Sequence, residues 1–297
     1  MQGAENIDIQ TGPSCMRAFR MPFSWWKDVL LDTYGAMSRH RLVAVAAGVV
    51  FYALLAVFPT ITAFVSLYGL FAEPASVADH LSLLANVLPG GALDIVREQV
   101  GRITANPSEL GVAFFFGTAL ALWSANAGVK AMIDALNVVK EQEERRGFFR
   151  LNAASLTITF GAIVFLLLAV GAVVGFPLVM SAFGLKEVTG TATWLVRWPA
   201  LLAVALGAFA VLYRFGPSQK TPRRNWITPG SLFAALAWIA GSAALSLYLS
   251  RFADYNATYG SLGAAIGLMM WMWLSSVVVL AGAQLDCSIQ NKLPREA

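Results

Sequence analysis

Charged residues make up only 13% of this chain, and histidine and cysteine occur just twice each. A soluble domain usually carries about a quarter charged side chains, so the scarcity argues against a water-filled surround. His40 and His80 are predicted on opposite membrane faces, which leaves no imidazole cluster for a metal centre. Cys15 and Cys287 form no CxxC pair and fall in segments predicted to be cytosolic, where thiols stay reduced. No glycine-rich phosphate loop ends in Lys-Ser or Lys-Thr, which argues against an ATP-driven pump built from this chain alone. Serines on the apolar segments lack a histidine on the same side, so no nucleophilic triad emerges. Residues 1–20 lack the apolar core of a cleavable signal peptide, and the first span is expected to direct its own insertion.

What the chain has in quantity is apolar sequence, 58% of its residues. Long apolar stretches lie at 42–71, 110–136, 151–183, 194–215, 227–250 and 260–286. Each reaches the roughly 20 residues that a helix needs to cross about 30 Å of hydrocarbon. The predicted fold is therefore all-α: a polytopic membrane protein with six transmembrane helices and amphipathic interfacial helices. Of 21 Lys and Arg, only Arg97, Arg102, Lys186, Arg197 and Arg251 fall outside when the N-terminus is inside, with Lys130 at the boundary. The bias puts both termini in the cytoplasm. The expected organisation is a cytosolic segment over 1–40, a six-helix domain over 41–290 and a cytosolic tail over 291–297. The net charge of +4 requires no acidic partner, because this bias and anionic lipid account for it.

Along the chain, Phe23, Trp26, Val29, Leu30 and Tyr34 recur at three- and four-residue spacing. They describe an amphipathic helix that either lies among headgroups or packs on the ends of the bundle. Pro59, near the middle of an overlong first span, is the candidate hinge, with Thr60 and Thr62 placed to satisfy freed backbone groups. Apolar stripes on either side of Pro89-Gly90-Gly91 predict two outer-face amphipathic helices over about 75–106, capping the bundle or covering a cavity. Gly171 and Gly175 in the third span, and Gly260, Gly263 and Gly267 in the sixth, allow close helix approach. The loop GPSQKTPRRNW reads as a basic membrane-surface patch. Asp254, Tyr255 and Asn256 gather polar groups at the outer mouth.

The most informative stretch runs from Trp123 to Arg146. Asn126, Lys130 and Asp134 follow at four-residue spacing on one helix face, with Asn137 a turn beyond. Ionisable groups at bilayer depth are costly and mark pathways more often than chance, although Lys130 at an interface can also snorkel beside Asp134. Gln284 and Asp286 return to the same side and suggest an inner gate. Lys140 to Arg150 reads as a charged, solvated extension of the same helix.

Three segments together resemble the YihY/BrkB family of bacterial inner-membrane proteins: FYALLAVFPTITAFVSLYGL, WSANAGVKAMIDALNVV followed by EQEERRGFF, and FADYNATYGSLGAAIGLMMWMW. The resemblance implies six membrane helices, an inner-membrane location and no established cofactor. It also implies a disputed activity, since some members were once labelled ribonuclease BN and others are linked to lipid export or cation handling. A metal-dependent nuclease needs carboxylates or histidines holding two cations about 4 Å apart, and none are clustered here. Membrane lipids are the expected partners, nucleic acid is not, and no catalytic residue is assigned. Two readings stand: a transporter or exporter of an amphiphile or small solute, and a non-catalytic scaffold binding cytosolic partners. A polar face lining a cavity favours the first, and a filled, dry interior favours the second.

Overall fold

The computed structural model describes residues 21–71, 110–170, 189–218, 226–252 and 262–293. Among these residues the only regular structure is helical. The helices are α1 (Phe23–Arg39), α2 (Leu42–Phe71), α3 (Leu110–Val139), α4 (Phe148–Val170), α5 (Thr189–Phe215), α6 (Pro229–Phe252) and α7 (Leu262–Lys292). The expected outer-face helices near 75–106, Gly171, Gly175, Asp254, Tyr255, Asn256 and Gly260 lie outside the described residues, as does part of the basic loop, while Gly263 falls in the first turn of α7.

Three of these helices carry a stretch long and apolar enough to cross a bilayer: Trp198–Phe215, Pro229–Leu249 and Ala265–Lys292. Phe23–Arg39 and Leu42–Val57, bent by 60° at their junction, make a fourth if taken as one span. Helix α3 is not among them; it carries Asn126, Lys130 and Asp134 along its length. The described residues are thus all-helical, with three or four helical stretches of membrane-crossing length and apolarity. The sharp turn in its first segment falls at His40-Arg41, whereas α2 continues as helix through Pro59. Beside that proline the Thr60 hydroxyl donates to the Ala56 carbonyl at 2.6 Å, supplying a local backbone partner as expected.

The helices pack in two tight pairs, α2 with α3 and α6 with α7, with α7 also against α2, α1 and α3. Both pairs need small residues where they cross. A Cβ on Gly128 of α3 would sit 3.6 Å from the Ala53 backbone nitrogen of α2, an ordinary contact, so alanine would fit there and only a larger side chain would hold the backbones apart. Gly267, singled out from sequence, only touches Leu249; the close crossing of α6 and α7 lies instead at Gly230 and Gly282. Further along, the α6–α7 pair is held by two tryptophan–serine bonds. Trp238 Nε1 donates to Ser275 Oγ at 2.9 Å and Trp271 Nε1 to Ser242 Oγ at 3.0 Å. With no water to compete, such interhelical bonds contribute about 0.6–2 kcal/mol each.

The buried core gathers at one end of the bundle. Leu42, Ala46 and Val49 of α2 meet Ala135, Leu136 and Val139 of α3, Tyr213 of α5, Ala234 of α6, and Val279, Leu280 and Ala283 of α7. Helix α1 lies against the same end through Val29, which packs with Leu285, Ile289 and Leu293. Of the two readings of its apolar face, packing on the bundle describes Val29 and Trp26, while Leu30 and Tyr34 stay exposed.

Candidate functional site at the polar end of the bundle

Helix α3 stops at Val139, not within a charged extension. Glu141 has φ 51°, and the Gln142 N–H reaches back to the Asn137 carbonyl at 2.9 Å while the Glu141 N–H bonds Val138. This reciprocal pair closes the helix in the left-handed conformation that usually calls for glycine. The expectation of a solvated helical extension over Lys140–Arg150 is corrected here. The turn brings Glu144 and Arg146 back over the core, where each side chain keeps only 19% exposure.

There the two form a forked ion pair. Arg146 Nε and Nη2 donate to the two Glu144 oxygens, each at 2.8 Å. The same guanidinium gives Nη1 to the Phe215 carbonyl at 3.2 Å and Nη2 to the Gly216 carbonyl at 2.7 Å. Arg146 therefore caps the C-terminus of α5, whose last carbonyls have no partner within the helix. Asn137, one of the residues picked from sequence, completes the knot. Its Nδ2 donates to Glu144 Oε2 at 3.0 Å, and its Oδ1 accepts the Ser218 N–H at 2.8 Å. Thus α3, the α3–α4 connection and the end of α5 are joined through three side chains.

The Arg146 hydrogen bond, opposed by burial and aided by Asn137, pushes the Glu144 carboxyl down to about 2 from an ordinary 4.5. A carboxyl depressed on folding stabilises the protein fully above the unfolded value and loses that contribution as pH falls towards the folded one. The depression corresponds to at most about 3 kcal/mol. Thermal unfolding in detergent between roughly pH 5 and pH 2 should therefore fall more steeply for the wild type than for Glu144→Gln. Parallel curves would show that this pair contributes nothing.

The other sequence-selected residues divide between two further junctions. Gln284, 4% exposed, does not face Lys130 or Asp134; its Oε1 lies 3.3 Å from His40 Nδ1, and His40 Nε2 lies 3.2 Å from Glu141 Oε1. His40 thus ties the α1–α2 corner to α7 and to the turn after α3. Asp286, 3% exposed, accepts the Gly230 N–H at 2.8 Å in the first turn of α6. Its negative charge faces the positive end of that helix. Thr228 and Ser231 exchange backbone N–H for side-chain oxygen at 2.9 and 3.1 Å, a capping box with Pro229 in the first helical position.

Lys130 makes a contact that spacing did not reveal. Its Nζ donates to Asn152 Oδ1 of α4 at 2.7 Å, and Asn152 Nδ2 donates to the Phe148 carbonyl. Asp134, four residues on, is exposed, so the expected Lys130–Asp134 pair gives way to an interhelical bond. Asn126 Oδ1 is enclosed without a hydrogen-bond partner. Between these junctions runs a crevice lined by Leu136, Lys140, Tyr213, Pro217, Ala283 and Asp286, too narrow to admit a water molecule.

Sequence reasoning missed His40, Glu144, Arg146, Tyr213 and the Gly230–Gly282 crossing. The Thr-Pro-Gly-Ser cap was readable as a helix start. Nothing in the spacing of Glu144 and Arg146, two residues apart, announced that they fold inward.

Compared with known proteins, residues 33–297 match the family model described as Virulence factor BrkB. The chain is 32% identical over 274 residues to the putative ribonuclease-like protein YfkH of Bacillus subtilis, covering 90% of this chain and 98% of that protein. It is 27% identical over 266 residues to a UPF0761 membrane protein of Vibrio campbellii, covering 85% and 79%. No solved structure matches.

Proposed function

Because the chain belongs to the Virulence factor BrkB family of membrane proteins, we propose that it is a six-span bacterial inner-membrane transporter of an amphiphile or small solute, with both termini in the cytoplasm. In this reading the polar end of the bundle is the cytosolic gate and is closed. The supporting observation is that helix ends meet there through polar side chains of both helices and connections, Asn137–Glu144–Arg146 and His40–Gln284 chief among them. Hydrogen bonds and ion pairs between helix ends are the contacts that re-pair when elements shift between two packed arrangements. Lys130, bonded to Asn152 where α3 meets α4, and Asn126 with its unmatched oxygen would line the route above the gate. Unmatched polar groups within a span favour a wet or transiently occupied path.

The filled crevice favours the second reading, a membrane scaffold. The word ribonuclease in the name of the Bacillus subtilis relative draws little support, because Glu144 is committed to Arg146 and Asp286 to the start of α6. Proteoliposomes separate the two main readings. Wild type is expected to speed exchange of a fluorescent phospholipid or release of a small solute, and Lys130→Ala and Asp134→Ala to abolish it at unchanged protein yield. Rates equal to empty vesicles for every cargo would leave the scaffold.

A further inference from the structure

Helix α1 presents three faces, and the bundle uses one of them. Val29, Thr33 and Ala36 are buried, with Val29 against Leu285, Ile289 and Leu293 at the end of α7. A second stripe holds Ser24, Asp28, Asp32 and Arg39, where Arg39 Nη2 lies 4.0 Å from Asp32 Oδ1. The third holds Phe23, Lys27, Leu30 and Tyr34 at four- and three-residue spacing, with Leu31 at its edge. Phe23 is 86% and Tyr34 77% exposed, and Leu30 and Leu31 are each more than half exposed.

The level of this face in a bilayer follows from the helices that α1 joins. The crossing stretch of α7, Ala265–Lys292, has 28 residues. That is about 42 Å of helix against about 30 Å of hydrocarbon. No charged residue occurs from Ala265 to Gln284, a run that by itself covers about 30 Å. The surplus is the polar end that follows, with Asp286, Gln290, Asn291 and Lys292. Helix α1 is fastened along that same end. His40 Nδ1 lies 3.3 Å from Gln284 Oε1, Trp25 Nε1 donates to the Lys292 carbonyl at 3.4 Å, and Lys292 Nζ donates to the Asp28 carbonyl at 2.7 Å. Helix α2, with 30 residues, is long enough to cross without α1, which departs from it through the 60° bend. Both neighbours therefore put α1 at headgroup depth, turned away from the direction of the spanning helices.

We propose that the Phe23–Leu30–Tyr34 face of α1 is inserted at the headgroup–acyl boundary of the leaflet around the polar end of the bundle, with lipid as its partner. A helix lying in the interface needs an apolar stripe for the acyl boundary and a polar one for water, and α1 has both beside its bundle face. Lys27 selects lipid over a second protein surface. Protein interfaces are depleted of lysine at their centre, whereas beside lipid the ammonium reaches headgroup oxygens from the end of an apolar stem. The Tyr34 hydroxyl sits at the same boundary, where tyrosine is enriched. Because the bundle holds α1 at both ends, the face is formed before lipid meets it, which lowers the ordering cost of insertion.

Photocrosslinking in lipid tests this without reference to transport. Full-length protein carrying p-benzoylphenylalanine in place of Leu30, Tyr34 or Asp28 is reconstituted in vesicles of phosphatidylethanolamine and phosphatidylglycerol, irradiated and weighed intact. Lipid adducts at positions 30 and 34 should exceed those at 28 by about fivefold or more, since the first two face the acyl boundary and the third faces water. Leu31 and Ser24 provide the same contrast if one of these variants does not fold. Equal lipid adducts on the two faces would overturn the proposal. So would adducts at 30 and 34 of twice the protein mass, which would assign the face to a second copy of the chain.

Discussion

Gly282→Val is expected to destabilise the protein by about 2–4 kcal/mol, at the upper end of overpacking costs. A Cβ at Gly282 would lie 2.6 Å from the Gly230 carbonyl oxygen, 2.6 Å from the Tyr213 hydroxyl and 2.8 Å from Ala234 Cβ. Two of these three atoms cannot rotate away, because they belong to the backbone or the first carbon of α6. Relief therefore requires α6 and α7 to separate. Separation would also stretch the Gly230 N–H bond to Asp286 and the 2.5 Å bond from Tyr213 to the Val279 carbonyl, one turn before Gly282. The loss should appear as a lower unfolding temperature in detergent. Gly48→Ala is the matched control, since nothing lies within 4 Å of its added carbon. There the change removes only glycine's backbone entropy and should stabilise by up to about 1 kcal/mol. Equal behaviour of the two variants would mean that the α6–α7 crossing is looser than described.

This crossing illustrates where sequence reading stops. Helix positions follow from hydropathy because the bilayer demands long apolar runs and internal backbone bonding. The run predicted at 42–71 is α2, and that at 110–136 starts with α3 and ends three residues before it does. Which faces meet is a different matter. Gly260, Gly263 and Gly267 form a more regular glycine pattern than Gly282, yet a Cβ on Gly267 would make only an ordinary contact. Spacing shows where a neighbour can come close, and the connections decide whether one does.

The polar residues teach the same lesson. Asn137, Gln284 and Asp286 were recognisable because buried polar groups are rare in such sequence, and all three are indeed buried. Their partners were not recognisable. Lys130 and Asp134 stand one turn apart on α3, so helical geometry alone suggests a pair; the approach of α4 gives Lys130 the Asn152 amide instead. The left-handed turn at Glu141 was hidden for a related reason. A glycine would have announced the end of α3, whereas glutamate at φ 51° follows the usual preference for helix and conceals the stop.

That concealed turn makes Arg146 the side chain whose loss should matter most at the polar end. Arg146→Ala removes the forked pair with Glu144 and both caps on α5 in one step. It leaves a four-fifths-buried carboxylate facing Asn137 without its cation, and two carbonyls at a helix end without donors. Breaking one side of a buried pair usually costs about 3–5 kcal/mol, and partial exposure lowers that to about 2–3 kcal/mol here. Arg146→Lys keeps the charge but has no fork, so it should recover only part of the loss. Glu144→Gln/Arg146→Ala should be milder than Arg146→Ala, because no orphaned carboxylate remains. If the polar end is a gate, Arg146→Ala should also raise solute leak through reconstituted vesicles while the Gly282 variant loses stability without leak. A variant that is destabilised yet tight would identify the Asn137–Glu144–Arg146 knot as a strut of the scaffold.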